Sequence, residues 1–222
     1  IDIDKLIEGT NEILTANRNS LQLFDMLHSM RQFDDLTYVH SVNVALIASI
    51  LGQWLKFSEK DIRILTISGL LHDIGKIMIP NEILTKPGKL TVAEYNIMKQ
   101  HVNFGYEKVK NQNIDIRIKE ACLLHHEKCD GTGYPFGLKS DQIPAVAKII
   151  AIADVYDAMT SARVYRGALC PFEVIDTMYK DAFTKFEPEY ILPFLKNVAS
   201  SYINNDVRLS DGRIGKVVLI NE

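Results

Sequence analysis

The stretch ILTISGLLHDIGK, Ile64 to Lys76, decides how this chain is read. Its opening residues are apolar, small or hydroxyl-bearing, as a buried helix needs, and they run directly into His72 and Asp73. Ser58 and Asp61 supply an N-terminal start for that helix, and Gly75 is expected to stop it. Two adjacent ligand-type side chains can reach one metal where the helix carrying them ends and its geometry loosens. Taken alone, the His-Asp dipeptide is a weak signal. A helix-end histidine satisfying carbonyls, followed by an aspartate capping the next segment, accounts for it equally well.

Outward from this stretch the chain reads as helices almost to its end. Residues 4–15 and a segment capped by Ser20, with Leu21, Phe24, Leu27 and Met30 on one face, predict lead-in helices over 1–30. Residues 35–54 set Leu36, His40, Asn43, Ile47, Leu51 and Trp54 along one stripe. Thr91 and Glu94 form a capping box that opens a helix carrying Met98, His101 and Val102. Another helix is expected over 115–126, then a loop over 127–143, and then a strongly apolar helix from Pro144 through Thr160. Pro171 and Pro188 stand where two more begin. Only the last residues change period. Val207 and Leu209, the turn Asp211-Gly212 and the run 216–220 predict a β-hairpin. The expectation is all-α: a helical bundle over 31–200 with a small C-terminal β-hairpin appendage over 201–222.

The other histidines strengthen the reading of His72 and Asp73. His125 and His126 close one apolar helix, His101 lies on a second, and His40 lies on the stripe of a third. Asp154 sits in IIAIADVY, Ile149 to Tyr156, an almost wholly apolar run. An unpaired carboxylate buried there would cost several kcal/mol, so it needs a partner. A cation shared with the histidines supplies one. Five imidazoles and two carboxylates fill much of the coordination of two divalent ions, with one carboxylate bridging. Such nitrogen and oxygen donors suit Fe or Mn, with Zn as the other option, and disfavour Mg or Ca. His28 has no place in this pattern, and Asp157, one turn beyond Asp154, reads equally as a supporting group or as surface charge.

The totals exclude other classes. With 47% apolar and 24% charged residues the chain has the balance of a globular domain. A net charge of −3 gives no footprint for a nucleic-acid polymer. The cysteines Cys122, Cys129 and Cys170 form no CxxC pair, which suits a reducing, cytoplasmic setting. The apolar run Val44 to Leu51 is too short to span a bilayer. The chain opens at Ile1 rather than at methionine, and an upstream sensor domain is expected as a partner, or a second copy as a homodimer.

From about Phe33 to Leu195 the chain resembles the HD-GYP branch of the HD hydrolase superfamily. The segments that carry the resemblance are HHEKCDGTGYP, His125 to Pro135, and ADVYDAMTSARVYR, Ala153 to Arg166, in order after His72-Asp73. The resemblance implies an all-helical HD-domain fold, two or three metal ions, and hydrolysis of cyclic di-GMP. It assigns His40, His72, Asp73 and Asp154 to one ion, and the bridging Asp73 with His101, His125 and His126 to the other. It further implies that Lys76 contacts a phosphate beside the bond that breaks, with Asp73 and Lys76 as the catalytic pair. Arg163 and Arg166 would meet phosphate or base, and Tyr134 the substrate. Three departures matter. Leu36 stands where three-metal members place a glutamate, Cys129 where an aromatic is common, and Val164 where proline is usual.

The implied reaction is attack by a hydroxide held between the metals, giving linear pGpG, with Lys76 neutralising phosphoryl charge. Two other readings stay open at this point. One is a receptor that binds cyclic di-GMP without turnover, and the other is an HD phosphohydrolase acting on a different nucleotide.

Overall fold

A computed structural model describes residues 35–161, 169–209 and 211–220. The lead-in helices expected over 1–30, and Arg163, Val164 and Arg166, lie outside the described residues. Helix α1 is Asp35–Trp54, and α2 is Glu59–Leu71, opened by the Ser58 side chain accepting from the Asp61 N–H. A 3-10 turn, Ile74–Met78, and a single helical turn α3, Asn81–Leu84, follow. Next come α4, Val92–Met98, and α5, His101–Val109. Then α6 is Ile116–Leu124, capped by Asp115, and α7 is Ala145–Thr160. Pro171 and Pro188 each open a helix, α8, Pro171–Asp181, and α9, Pro188–Ser200. Strands β1, Asp206–Arg208, and β2, Ile214–Lys216, form an antiparallel pair.

One core holds the bundle. Val44, Ala48 and Leu51 of α1 meet Leu65, Leu70 and Leu71 of α2, Ile149, Ile150 and Ile152 of α7, and Ile191 and Phe194 of α9. Each large side chain buried here contributes roughly 1.5–3 kcal/mol against its own loss of freedom. Helices α1 and α2 approach closely because Gly69 faces Ala45. A Cβ on Gly69 would come within 2.5 Å of the Ala45 Cα.

Four expectations need correction. On α1 the buried face is Thr37, Ser41, Val44, Ala45, Ala48, Leu51 and Gly52, while Leu36 is 62% exposed. The inward face is therefore turned by about one position from the expected stripe, because small residues such as Ala45 allow the close approach to α2. Gly75 does not stop α2, which ends at Leu71; it lies within the 3-10 turn, where a Cβ would overlap the His101 carbonyl and the Gly105 N–H. The helix expected from Thr91 through Val102 is broken after Met98, and the break lets the first turn of α5 dock onto Gly75. The returning strand lies at Ile214–Lys216 rather than over 216–220. Gly212, at φ +88°, makes a tight turn that brings Leu209 N to Arg213 O at 2.8 Å and pairs Asp206 with Lys216.

By length and composition α1, over Leu36–Trp54, is long and apolar enough to cross a membrane, which the run Val44 to Leu51 understates. In this fold it packs against α2, α7 and α9.

Candidate metal centre

The chain brings ionisable side chains together by ending helices in one place. His72 caps the C-terminus of α2 and Asp73 leads into the 3-10 turn. His101 is the first residue of α5, and His125 caps α6 with His126 next. His40 and Asp154 come from within α1 and α7.

Two groups of donors share Asp73. His40, His72 and Asp73 form one, and Asp73, His101, His125 and His126 the other, each with its donor atoms within 4.8 Å of one another. Asp154 faces both groups, with Oδ1 3.0 Å from His40 Nε2 and Oδ2 3.8 Å from His126 Nδ1. All the residues expected from the sequence as ligands thus stand at one centre.

The imidazoles are oriented from behind. His72 Nδ1 donates to the Gly69 carbonyl at 2.7 Å, His101 Nδ1 to Met98 at 2.8 Å, and His125 Nδ1 to Ala121 at 2.9 Å. A carbonyl only accepts, so each of these rings carries its proton on Nδ1 and turns the Nε2 lone pair inward. His40 is held by a carboxylate instead, with Nδ1 2.6 Å from Asp157 Oδ2. Asp157 is therefore a buried partner of His40 and not a surface charge.

Two atoms show what the centre fits. His72 Nε2 and Asp73 Oδ1 are buried without a hydrogen-bond partner. Leaving such a group unsatisfied costs about 1–3 kcal/mol, more when it is charged. Both are lone-pair donors aimed at the same space, and the surrounding set is all nitrogen and carboxylate oxygen. A divalent metal ion would satisfy them.

Protonation agrees with that fit. Burial first, and then the adjacent imidazoles of His126, His72 and His101, push His125 well down, and burial pulls down His101 despite Asp73. Burial takes His126 to about 3. All three are neutral near pH 7, the form that ligates. Burial alone would raise Asp73 and Asp154, but Lys76 and His72 hold Asp73 well below the usual carboxylate range, and His40 does so for Asp154. Burial likewise pulls His40 down, but its bonds to Asp154 and Asp157 outweigh this and lift it to about 9.

Lys76 lies inside the centre, its Nζ donating to Asp73 Oδ2 at 2.6 Å. Tyr134 stacks on His126, ring centroids 4.7 Å apart. One residue in this region was given no role from sequence. Glu127 is buried, and its carboxylate accepts from the N–H groups of Phe136 at 2.7 Å, Gly137 at 3.2 Å and Leu138 at 2.9 Å. It folds the loop carrying Tyr134 back over the histidines. Gly133 allows the fit, since a Cβ there would stand 2.5 Å from the His126 carbonyl. At Cys129 the loop is tied by its N–H to the Lys185 carbonyl at 3.0 Å.

The sequence pattern of the HD domain family matches residues 7–190 of the chain. A protein of Pseudomonas aeruginosa named a cyclic di-GMP phosphodiesterase is 38% identical over 190 residues, 85% of this chain and 46% of that protein. A Vibrio cholerae protein named 3′3′-cGAMP-specific phosphodiesterase 2 is 32% identical over 194 residues, 86% of this chain and 37% of that one. The chain therefore spans about half or less of the length of these curated relatives. Among solved structures, the HD domain of the Listeria monocytogenes phosphodiesterase PgpH with cyclic-di-AMP superposes with a TM-score of 0.62 at 18% identity, covering 80% of this chain and 94% of that one. Helical fold, ordered motifs and matched length agree, and the chain belongs to the HD domain family, in its HD-GYP branch.

Proposed function

We propose that this domain is a metal-dependent phosphodiesterase that opens cyclic di-GMP to linear pGpG. The observation that carries the reading is the pair of donor groups sharing Asp73, with His72 Nε2 and Asp73 Oδ1 buried and unpartnered. His40, His72, Asp73 and Asp154 would hold one divalent ion, and Asp73, His101, His125 and His126 the other, with Fe or Mn preferred and Zn the alternative. When bound, such ions make water a nucleophile at neutral pH and polarise phosphoryl oxygens.

The side chains divide the remaining work. Lys76 brings a positive charge to where the phosphoryl oxygens become more negative, and Asp73 holds its ammonium in place until substrate arrives. Tyr134, stacked on His126, offers a ring and a hydroxyl to the substrate at the edge of the centre. Water adds to phosphorus, the bond to one 3′-oxygen breaks, and that oxygen leaves as a hydroxyl while the phosphate stays on the 5′ side. Arg163 and Arg166, outside the described residues, are assigned to substrate phosphate or base by the resemblance. The names of the relatives support the substrate class, and the one named for 3′3′-cGAMP keeps that nucleotide on the panel to be tested. The partners expected in the longer protein are an upstream sensor domain or a second copy, and the expected setting is the cytoplasm.

Protein purified without oxygen and analysed for metal is incubated with cyclic di-GMP, and products are identified by mass. The reading requires pGpG from the metal-loaded protein and none from Asp73→Ala. Tight binding with no release by fully loaded protein would make it a receptor instead. Preference for another nucleotide would move it to a different phosphohydrolase.

A further inference from the structure

Tyr95 and Lys99 stand beside Tyr134, and nothing in the hydrolysis described above uses them. The Lys99 ammonium lies over two rings at once, 5.3 Å from the centroid of Tyr95 and 6.0 Å from that of Tyr134. The two rings meet edge to face at 6.5 Å, and Tyr134 stacks on His126. Aromatic rings with one cation above them thus run from a histidine of the centre out to Tyr95, which is 47% exposed.

The placement is firm. Tyr95 lies on α4, whose first turn is locked by the reciprocal Thr91–Glu94 capping box. Lys99 closes the same helix, its N–H bonded to the Tyr95 carbonyl at 2.9 Å, and His101 follows two residues later. Among the described residues no carboxylate pairs with Lys99, although Asp and Glu outnumber Lys and Arg by 28 to 25. The nearby Glu94 is taken by Lys86, at 2.6 Å. An ammonium resting on ring faces without a counter-anion is ready to receive one, and an exposed tyrosine face can stack on a base.

A cyclic dinucleotide has two phosphates and two purines, and only one phosphate can sit at the metals beside Lys76. We propose that Lys99 and Tyr95 form the recognition shelf for the other nucleotide, the ammonium taking its phosphate and the Tyr95 ring its purine. This rests on the phosphodiesterase reading given above. It makes the enzyme selective for dinucleotides over small phosphodiesters through residues outside the metal-binding motifs.

The test uses metal-loaded protein with Lys99→Gln, Lys99→Arg, Tyr95→Ala and Tyr95→Phe, on cyclic di-GMP and on bis(p-nitrophenyl) phosphate, which has no base and no second phosphate. Loss of one stacked base or one phosphate contact is worth roughly tenfold in affinity. Lys99→Gln and Tyr95→Ala are expected to raise KM for cyclic di-GMP about tenfold, by more than they change kcat, with metal content kept. The ratio of kcat/KM for the dinucleotide to that for the small diester should fall by a similar factor. Lys99→Arg and Tyr95→Phe should restore most of it. A KM for cyclic di-GMP within twofold of the unmodified protein in both Lys99→Gln and Tyr95→Ala would overturn the shelf. If the unmodified protein binds metal but hydrolyses no cyclic dinucleotide, the phosphodiesterase reading fails instead. Equilibrium binding of intact cyclic di-GMP to the same variants then decides the shelf, a tenfold weaker affinity supporting it and an unchanged or absent affinity overturning it.

Discussion

His40 and Asp157, on helices α1 and α7, are joined by a 2.6 Å bond from the imidazole Nδ1 to the carboxylate Oδ2, while the other ring nitrogen faces Asp154 at 3.0 Å. A carboxylate behind a ligand histidine fixes its tautomer and raises its basicity, and removing one typically costs ~10–100-fold in metal affinity. Asp157→Ala is expected to weaken metal binding by that factor, read by competition with a chelator of known strength. Unchanged affinity would reduce the contact to ordinary packing.

The bonds from His40 to Asp154 and, next in size, to Asp157 set a pH dependence in the metal-free protein by outweighing the effect of burial. His40 is raised from 6.5 to about 9, so the stability it lends is fully present below its unfolded value and is lost as pH rises through 9. Metal must displace the proton shared between His40 and Asp154. Apparent metal affinity should therefore climb from neutral pH to about 9 and then level, with proton release on binding that fades over the same window. Calorimetry in buffers of different ionisation enthalpy reads this directly, and a flat profile between pH 7 and 9 would contradict it.

Asp73 and Lys76 touch, yet their substitutions should separate. Asp73→Ala removes a donor shared by both groups, so metal content and hydrolysis are both expected to be lost. Lys76→Ala should keep its metal and lose about 100-fold in kcat, the usual size for one positioned charge at a phosphoryl group. Full activity in Lys76→Ala would take that residue out of the reaction.

Gly75 is where the 3-10 turn meets α5. Gly75→Ala places a methyl group against the His101 carbonyl and the Gly105 N–H, backbone that has little room to move. A loss of ~1–3 kcal/mol or more is expected, typical of overpacking, together with weaker metal retention as His101 is displaced. Chemical denaturation and metal analysis on the same sample check both.

Leu36 lies one turn before His40 and has no lone pair to offer a metal. Two tightly bound ions per chain are expected, with pGpG as the early product and slow or absent passage to GMP. Leu36→Glu places a carboxylate one helical turn from His40 and is expected to raise metal occupancy. Three tightly bound ions within the histidine cluster of the unmodified protein would be the opposing result, and elemental analysis distinguishes them.

Much of this architecture was legible because ionisable residues stand out in apolar runs. His72-Asp73 and His125-His126 at helix ends, and Asp154 inside IIAIADVY, signal a shared centre before any geometry is known. The inward face of α1 was not legible, because Thr37, Ser41, Ala45, Ala48 and Gly52 carry little hydrophobic signal and are buried through close helix approach. The break between Met98 and His101 leaves no local signal, because it goes with the contact of His101 and Gly105 on Gly75, which is distant in the chain. Glu127 gave no sign of its role because its partners are backbone N–H groups, and these leave no mark in the sequence.

His72, His101 and His125 lean on main-chain carbonyls, whereas His40 leans on a side chain. Substitution cannot delete a carbonyl. The basicity of His72, His101 and His125 is therefore closed to adjustment by single replacements behind them, whereas that of His40 is open to it through Asp157. If descendants of this chain come to differ in metal preference while keeping every ligand, position 157 is where the first change should be sought.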